Sequence, residues 1–157
     1  MTEAEKARAH FKSGLNCAQS VLLAFAEHLP QDKNTLLCAA APFGGGMGRM
    51  REVCGCVSGM LMALGLFTYD AENPTNAEKS ALYAREQLLA GRFRERNGSI
   101  VCRELLAGIT SDASPRAEER TETYYKKRPC AELCADAADI LAQYLREIGV
   151  LGAEEER

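Results

Sequence analysis

Seven cysteines stand in this 157-residue chain, at Cys17, Cys38, Cys54, Cys56, Cys102, Cys130 and Cys134. Thiols exchange with disulfides, ligate soft metals, or simply pack as small hydrophobes. The first two need the thiolate. Four of the seven are expected in the first turn of a helix. Cys17 follows the capping residue Asn16, Cys54 comes just after a glycine-rich turn, Cys102 follows Ser99, and Cys130 follows Pro129. A helix start offers unpaired N–H groups and partial positive charge, and both favour the thiolate. Arg49, Arg51 and Arg103 are close in sequence and are expected to add positive potential.

The other three cysteines read differently. Cys134 is one turn beyond Cys130 and can reach the same site. Cys56 forms Cys-x-Cys with Cys54, a spacing that can chelate. Cys38, inside Leu36-Leu37-Cys38-Ala39-Ala40, reads as core. Each cysteine also has the plain alternative of filling space in a core. There is no CxxC, and His10 and His28 are not near a cysteine in sequence, so a metal site would have to be assembled from distant segments. As ligands, Cys17, Cys54, Cys102 and Cys130 would suit zinc or an iron–sulfur cluster. As dithiols, a low-pKa thiolate would attack and a neighbour would resolve. No CxxCH is present, so covalent haem is not expected.

These thiols must be positioned by helices, since apolar residues recur at helical spacing and nowhere alternate. Thr2 and Glu5 make a capping box for a first helix ending near Gly14. Asn16 and Gln19 make a second, with Val21, Leu22, Phe25 and Leu29 along it and Pro30 stopping it. Leu36 to Ala41 is a short helix ended by Pro42. Gly44-Gly45-Gly46-Met47-Gly48 is a tight turn; it lacks the phosphate-loop pattern and follows no strand. An apolar helix from about Glu52 to Phe67 follows, then a loop at 70–76. Thr75 and Glu78 open a long helix to about Arg96, with Ala81, Leu82, Leu88, Leu89 and Phe93 as its stripe. Ser99 caps a short helix through Leu106, and 108–116 are loop. Residues 117–128, including Glu118-Glu119-Arg120 and Lys126-Lys127-Arg128, read as a solvated, loosely helical face. The last helix opens at Pro129 and carries Leu133, Ala137, Ile140, Leu141, Tyr144, Leu145 and Ile148.

The expected architecture is therefore all-α: a single-domain bundle of about six to seven helices around a central apolar helix, spanning 1–151, with 152–157 a disordered acidic tail. Net charge is −3 and basic runs are short, which argues against nucleic-acid binding. The apolar run from Val53 to Tyr69 is short and broken by glycines, so the chain is not expected to be membrane-embedded. Residues 1–14 are polar, so a cytoplasmic, reducing compartment is expected, where cysteines act as ligands or redox groups more often than as staples.

The segments Gly14-Leu15-Asn16-Cys17-Ala18-Gln19-Ser20-Val21, Gly44-Gly45-Gly46-Met47-Gly48-Arg49, Cys54-Gly55-Cys56-Val57-Ser58-Gly59, Cys102-Arg103-Glu104-Leu105-Leu106 and Cys130 together resemble the C_GCAxxG_C_C family. That family is described as redox-active proteins with four shared cysteines and a CGAxxG motif. The resemblance runs from about residue 11 to about 140. It implies that the four family cysteines are Cys17, Cys54, Cys102 and Cys130, the same four that helix starts select. The alanine of CGAxxG is Cys56 here. Cys38 and Cys134 fall outside the pattern.

The expected function is a redox-active protein using Cys17, Cys54, Cys102 and Cys130 for thiol/disulfide chemistry or for binding a metal or iron–sulfur cluster, with Cys56 and Cys134 as auxiliaries. Its partner would be a redox protein or small molecule, and a homodimer is allowed. The alternative is a non-catalytic helical adaptor whose cysteines are structural.

Overall fold

The computed structural model describes residues 1–153; residues 154–157, most of the expected acidic tail, lie outside the described residues. The helices in chain order are α1 (Glu3–Lys12), α2 (Cys17–Leu23), α3 (Lys33–Ala40), α4 (Gly55–Thr68), α5 (Asn76–Asn97), α6 (Cys102–Leu105), α7 (Glu122–Lys127) and α8 (Cys130–Glu147). The chain is all-α, as its periodicity requires. The one extended pairing among the described residues is an isolated antiparallel bridge between Val53 and Val101. Among the described residues, no helix is long and apolar enough to cross a membrane.

Local chemistry sets most helix starts. The Thr2–Glu5 and Asn16–Gln19 capping boxes both form, each side chain satisfying an orphan N–H of the other residue. Thr75 accepts from the N–H of Glu78 to open α5, and Gly98 closes it in a left-handed conformation at φ 86°. α2 stops earlier than Pro30 would dictate: it ends at Leu23, and a 3₁₀ turn over Ala26–His28 carries the chain onward.

α4 is the central helix. It buries Cys56, Val57, Met60, Ala63 and Leu64, and α2, α5 and α8 pack around it. Its glycines let α2 come close: a Cβ on Gly59 would lie 2.5 Å from the Ala18 carbonyl oxygen, and one on Gly55 would lie 3.0 Å from the Cys17 Cβ. The first residues of α2 and α4 are thereby pressed together. α8 presents Leu133, Ala137, Ile140, Leu141, Tyr144 and Leu145 inward, whereas Ile148, just past its end, is exposed. Of the expected stripe on α5, Leu89 and Phe93 are buried, Leu82 packs half-buried against the core, and Leu88 is exposed.

Cys38 is exposed, contrary to its reading as core. Leu36 and Ala40, one turn apart, take the inward face of α3, and a residue two positions after Leu36 points to the other side. Its sulfur meets only the Asn34 side chain on the same helix, at 4.0 Å.

Candidate functional site

The site is built where four segments meet. Cys17 is the first residue of α2, set by the Asn16 cap. The Asn16 amide also donates to the Ala41 carbonyl at 3.0 Å. Gly44 abuts that side chain so closely that a Cβ would lie 2.4 Å from it.

The glycine-rich segment then turns left-handed. Gly45, Gly46, Met47, Gly48 and Arg49 all have φ between 61° and 69°, and Arg51 follows at 61°. Left-handed turns are disfavoured for residues with a Cβ, at roughly 1–2 kcal/mol each, so three non-glycine residues here mark a conformation imposed by its surroundings. Gly46 shows what imposes it. A Cβ there would lie 2.6 Å from the Cys102 Cβ and 2.8 Å from the Glu52 nitrogen. The tight turn expected here forms, and the cysteine packed against it is Cys102.

Two of the cysteine segments are stitched together directly. The Cys54 N–H donates to the Ile100 carbonyl at 2.8 Å, and the Cys102 N–H donates to the Glu52 carbonyl at 2.6 Å. Cys54 caps α4 and Cys102 opens α6. Ser99 does not cap α6; it receives the Val101 N–H at 2.9 Å and donates to Glu104, holding the strand-like segment instead. Cys130 opens α8, with Pro129 as its cap.

Cys17, Cys54, Cys102 and Cys130 border one small cavity of about 50 Å³. Cys54, Cys102 and Cys130 are buried, and Cys17 is half-buried. Behind this wall lie Cys56 and Cys134, fully enclosed, with their sulfurs 3.4 Å apart. The sulfurs of Cys17, Cys56 and Cys134 all lie within 4.8 Å of one another, so this trio could share a metal ion. Six of the seven cysteines thus form two groups joined at Cys17.

The expectation that all four helix-start thiols are acidified is not met. Cys17 is pulled well below the ordinary thiol range, first by a hydrogen bond from the Cys130 thiol, then by those of Cys134 and Cys56, with Arg120 assisting against the effect of burial. Cys130 is pushed up because its proton is held on Cys17 and because it is buried. Cys56 and Cys134 are pushed up chiefly by burial. Cys102 is also raised: burial outweighs the Arg51 guanidinium, whose Nη1 lies 3.8 Å from its sulfur. α6 is a single turn of four residues, too short to supply the field of a long helix. Among Cys17, Cys102 and Cys130, a single thiolate held by its neighbours' protons replaces three independent ones.

The charged run at 117–128 is only in part a solvated face: Glu118, Glu119, Lys126 and Lys127 are exposed, whereas Arg120 and Arg128 turn inward. Arg120 and Arg128 line the cavity, together with Tyr124 between them. Arg120 lies over the Phe11 ring at 4.3 Å and the Tyr124 ring at 4.9 Å, and it donates to the carbonyls of Phe11 and Leu15. Arg128 stacks on Tyr124 at 4.7 Å, and its side chain, only 6% exposed, pairs with Glu118. Aromatic faces hold these guanidiniums in place. The signal was present as the spacing Arg120, Tyr124, Arg128, one turn apart, although α7 covers only part of it. Of the arginines expected beside the thiols, Arg51 is there. Arg49 instead donates to the carbonyls of Ser114 and Arg116, and Arg103 pairs with the exposed Glu52. His10 and His28 lie outside the cavity lining.

No curated protein and no solved structure matches the chain. A family model does, over residues 15–144, under the description "Putative redox-active protein (C_GCAxxG_C_C)". That span holds all the cysteines, the left-handed turn and the arginines of the cavity. The chain belongs to the C_GCAxxG_C_C family.

Proposed function

We propose that the chain is a thiol–disulfide redox protein in which Cys17 is the attacking thiolate and Cys130 the resolving thiol. The observation that carries this is that Cys17 and Cys130 stand on the wall of one cavity, where the neighbouring thiols, Cys130 first, favour the Cys17 thiolate. A thiolate is the nucleophile in exchange, and Cys17 is the thiol whose surroundings favour that form.

In the first step the Cys17 thiolate attacks one sulfur of an oxidised disulfide. A Cys17–substrate bond forms, the substrate's own bond breaks, and its other sulfur leaves as a thiolate. Cys17 then carries no charge, so the main cause of the raised Cys130 pKa is gone. Cys130 gives up its proton and attacks the Cys17 sulfur. The products are a Cys17–Cys130 disulfide and a second released thiolate. Two electrons pass from the dithiol to the substrate. Cys54 and Cys102, on the same cavity, supply a further pair in this reading.

A second reading rests on the 4.8 Å trio of Cys17, Cys56 and Cys134. Thiolates at that spacing suit a single soft ion such as zinc, with a fourth ligand from the cavity wall, or one corner of an iron–sulfur cluster.

Anaerobic purification of Cys38→Ser protein, followed by metal analysis, a visible spectrum and timed alkylation mapped by mass spectrometry, tests both. The Cys38 substitution removes the exposed thiol that would otherwise react at an ordinary rate. The dithiol reading expects no metal, fast labelling at Cys17, and a Cys17–Cys130 link after mild oxidation. Adding Cys17→Ser should remove the fast phase and leave helicity near that of the parent. Stoichiometric bound iron or zinc would support the second reading. Uniformly slow thiols with no metal would sink both.

A further inference from the structure

Among the described residues, the thiol cavity is lined by three arginines, Arg51, Arg120 and Arg128, and by no carboxylate. Arg128 has its counter-charge in Glu118. Arg120 is held by carbonyls and rings, neither of which carries a negative charge. Arg51 is the least explained. It is 5% exposed, its Nε donates to the Asp112 carbonyl at 2.9 Å, and its Nη1 faces the Cys102 sulfur. Its Nη2 is buried and has no hydrogen-bond partner. Leaving a charged donor unpaired in the interior costs several kcal/mol, and a guanidinium fork is shaped for oxygen acceptors. A thiolate at Cys17 offsets only one of the two arginines that lack a carboxylate. The site therefore retains positive charge and one buried donor to satisfy.

We propose that this cavity binds a small inorganic oxyanion of about four or five heavy atoms, with Arg51 Nη2 as its principal donor. The cavity volume of about 50 Å³ suits such an ion; roughly 10–15 Å³ of the same kind of space holds one water. A larger anionic molecule would not fit the cavity itself. An open groove of about 290 Å³ adjoins it, sharing Asn16, Gly45, Arg51, Arg120, Tyr124 and Arg128 with its wall and adding Arg49 and a single carboxylate, Glu118, against four arginines. This cationic groove gives the ion a route from solvent to the sulfurs. The inference deepens the proposed thiol chemistry by naming the ligand class of the same site, and an oxyanion held here lies against the thiol wall.

The test uses inorganic phosphate at pH 6 against chloride at matched ionic strength, on the full chain under reducing conditions. Two readouts are taken: the thermal unfolding midpoint and the rate of Cys17 alkylation by neutral iodoacetamide. At ten times its dissociation constant, bound phosphate should slow alkylation about tenfold and raise the midpoint, as mass action requires. Arg51→Met should lose both effects, and Arg51→Lys should keep a reduced version. Should Arg51→Met not fold, the Arg51→Lys response decides: an effect undiminished from the parent overturns the proposal. Equal effects in parent and Arg51→Met also overturn it, because the ion then binds elsewhere. No phosphate effect in the parent overturns it outright. If Cys17 resists iodoacetamide altogether, the redox reading fails, while the unfolding midpoint still reports on the anion.

Discussion

The Cys17–Cys130 pair and the Cys56–Cys134 pair occupy one bundle, and the sulfur of Cys17 lies within 4.8 Å of both Cys56 and Cys134. They differ in every other respect. Cys17 and Cys130 border a cavity with guanidiniums on its wall. Cys56 and Cys134 are fully buried in the hydrophobic core and are absent from that wall. Being a cysteine, or being near a helix start, does not make a thiol reactive. Access to solvent and a donor for the thiolate do, and only one of these pairs has both.

The strongest way to separate the pairs is alkaline pH. Cys56, Cys134, Cys130 and Cys102 have folded-state pKa values above those of the unfolded chain, where thiols titrate near 8.5. Their contribution to stability is fully present below about 8.5 and is lost as pH rises toward the folded values, at up to about 1.4 kcal/mol per pH unit for each group. Tyr124, pushed up to about 12 by burial, acts in the same direction at higher pH. Cys17 has the opposite sign: its contribution is present above the ordinary thiol range and fades as pH falls through its lowered value. Urea unfolding under reductant should show stability falling steeply from pH 8.5 to 10, whereas Cys17 alkylation, corrected for reagent, stays nearly flat there. A stability plateau through pH 10 would mean the enclosed thiols are not held protonated by the fold.

The next largest effect isolates the cavity side. Gly46→Ala forces a Cβ against Cys102 and the backbone of Arg51 and Glu52, at φ 69°. The left-handed conformation and the overpacking together should cost about 3 kcal/mol. The damage should centre on Cys102 and Arg51, so hydrogen exchange should rise across 44–54 and 99–105 while α1 and α8 stay protected. A uniform rise would mean that the left-handed turn is not a separable part of the fold.

How much of this was legible in the sequence follows from range. Capping boxes at Thr2 and Asn16 are local, and they formed as read. Cys17, Cys54, Cys102 and Cys130 were expected at helix starts, and each opens or caps a helix. The meeting of Cys54 with Cys102 was not legible, because it depends on a backbone pairing between Val53 and Val101 across nearly fifty residues. Arg120 and Arg128 were misplaced because a charge run says nothing of the Phe11 ring that captures Arg120. Cys38 was legible in principle: Leu36 and Ala40 already claim the inward face of α3. The acidity pattern needed coordinates, since it is set by which thiol donates to which.

The smallest effect is expected at Cys56, which the family resemblance would set at the alanine of CGAxxG. Cys56 is fully enclosed and touches Cys134 through sulfur at 3.4 Å. Cys56→Ala removes one buried heavy atom and leaves a void smaller than a methyl-scale cavity in a larger core, so it should cost about 1 kcal/mol or less. Cys17 would lose one of three thiol donors and keep the dominant one, Cys130. Its alkylation rate at neutral pH should fall by less than about threefold, whereas Cys130→Ala should lower it by at least about tenfold, the equivalent of roughly 1.4 kcal/mol of lost thiolate stabilisation. Urea unfolding and timed alkylation of the two variants check this directly. If Cys56→Ala proved as damaging to Cys17 as Cys130→Ala, the enclosed pair would belong to the working site, the three-sulfur metal reading would gain, and the contrast between the two pairs would not survive.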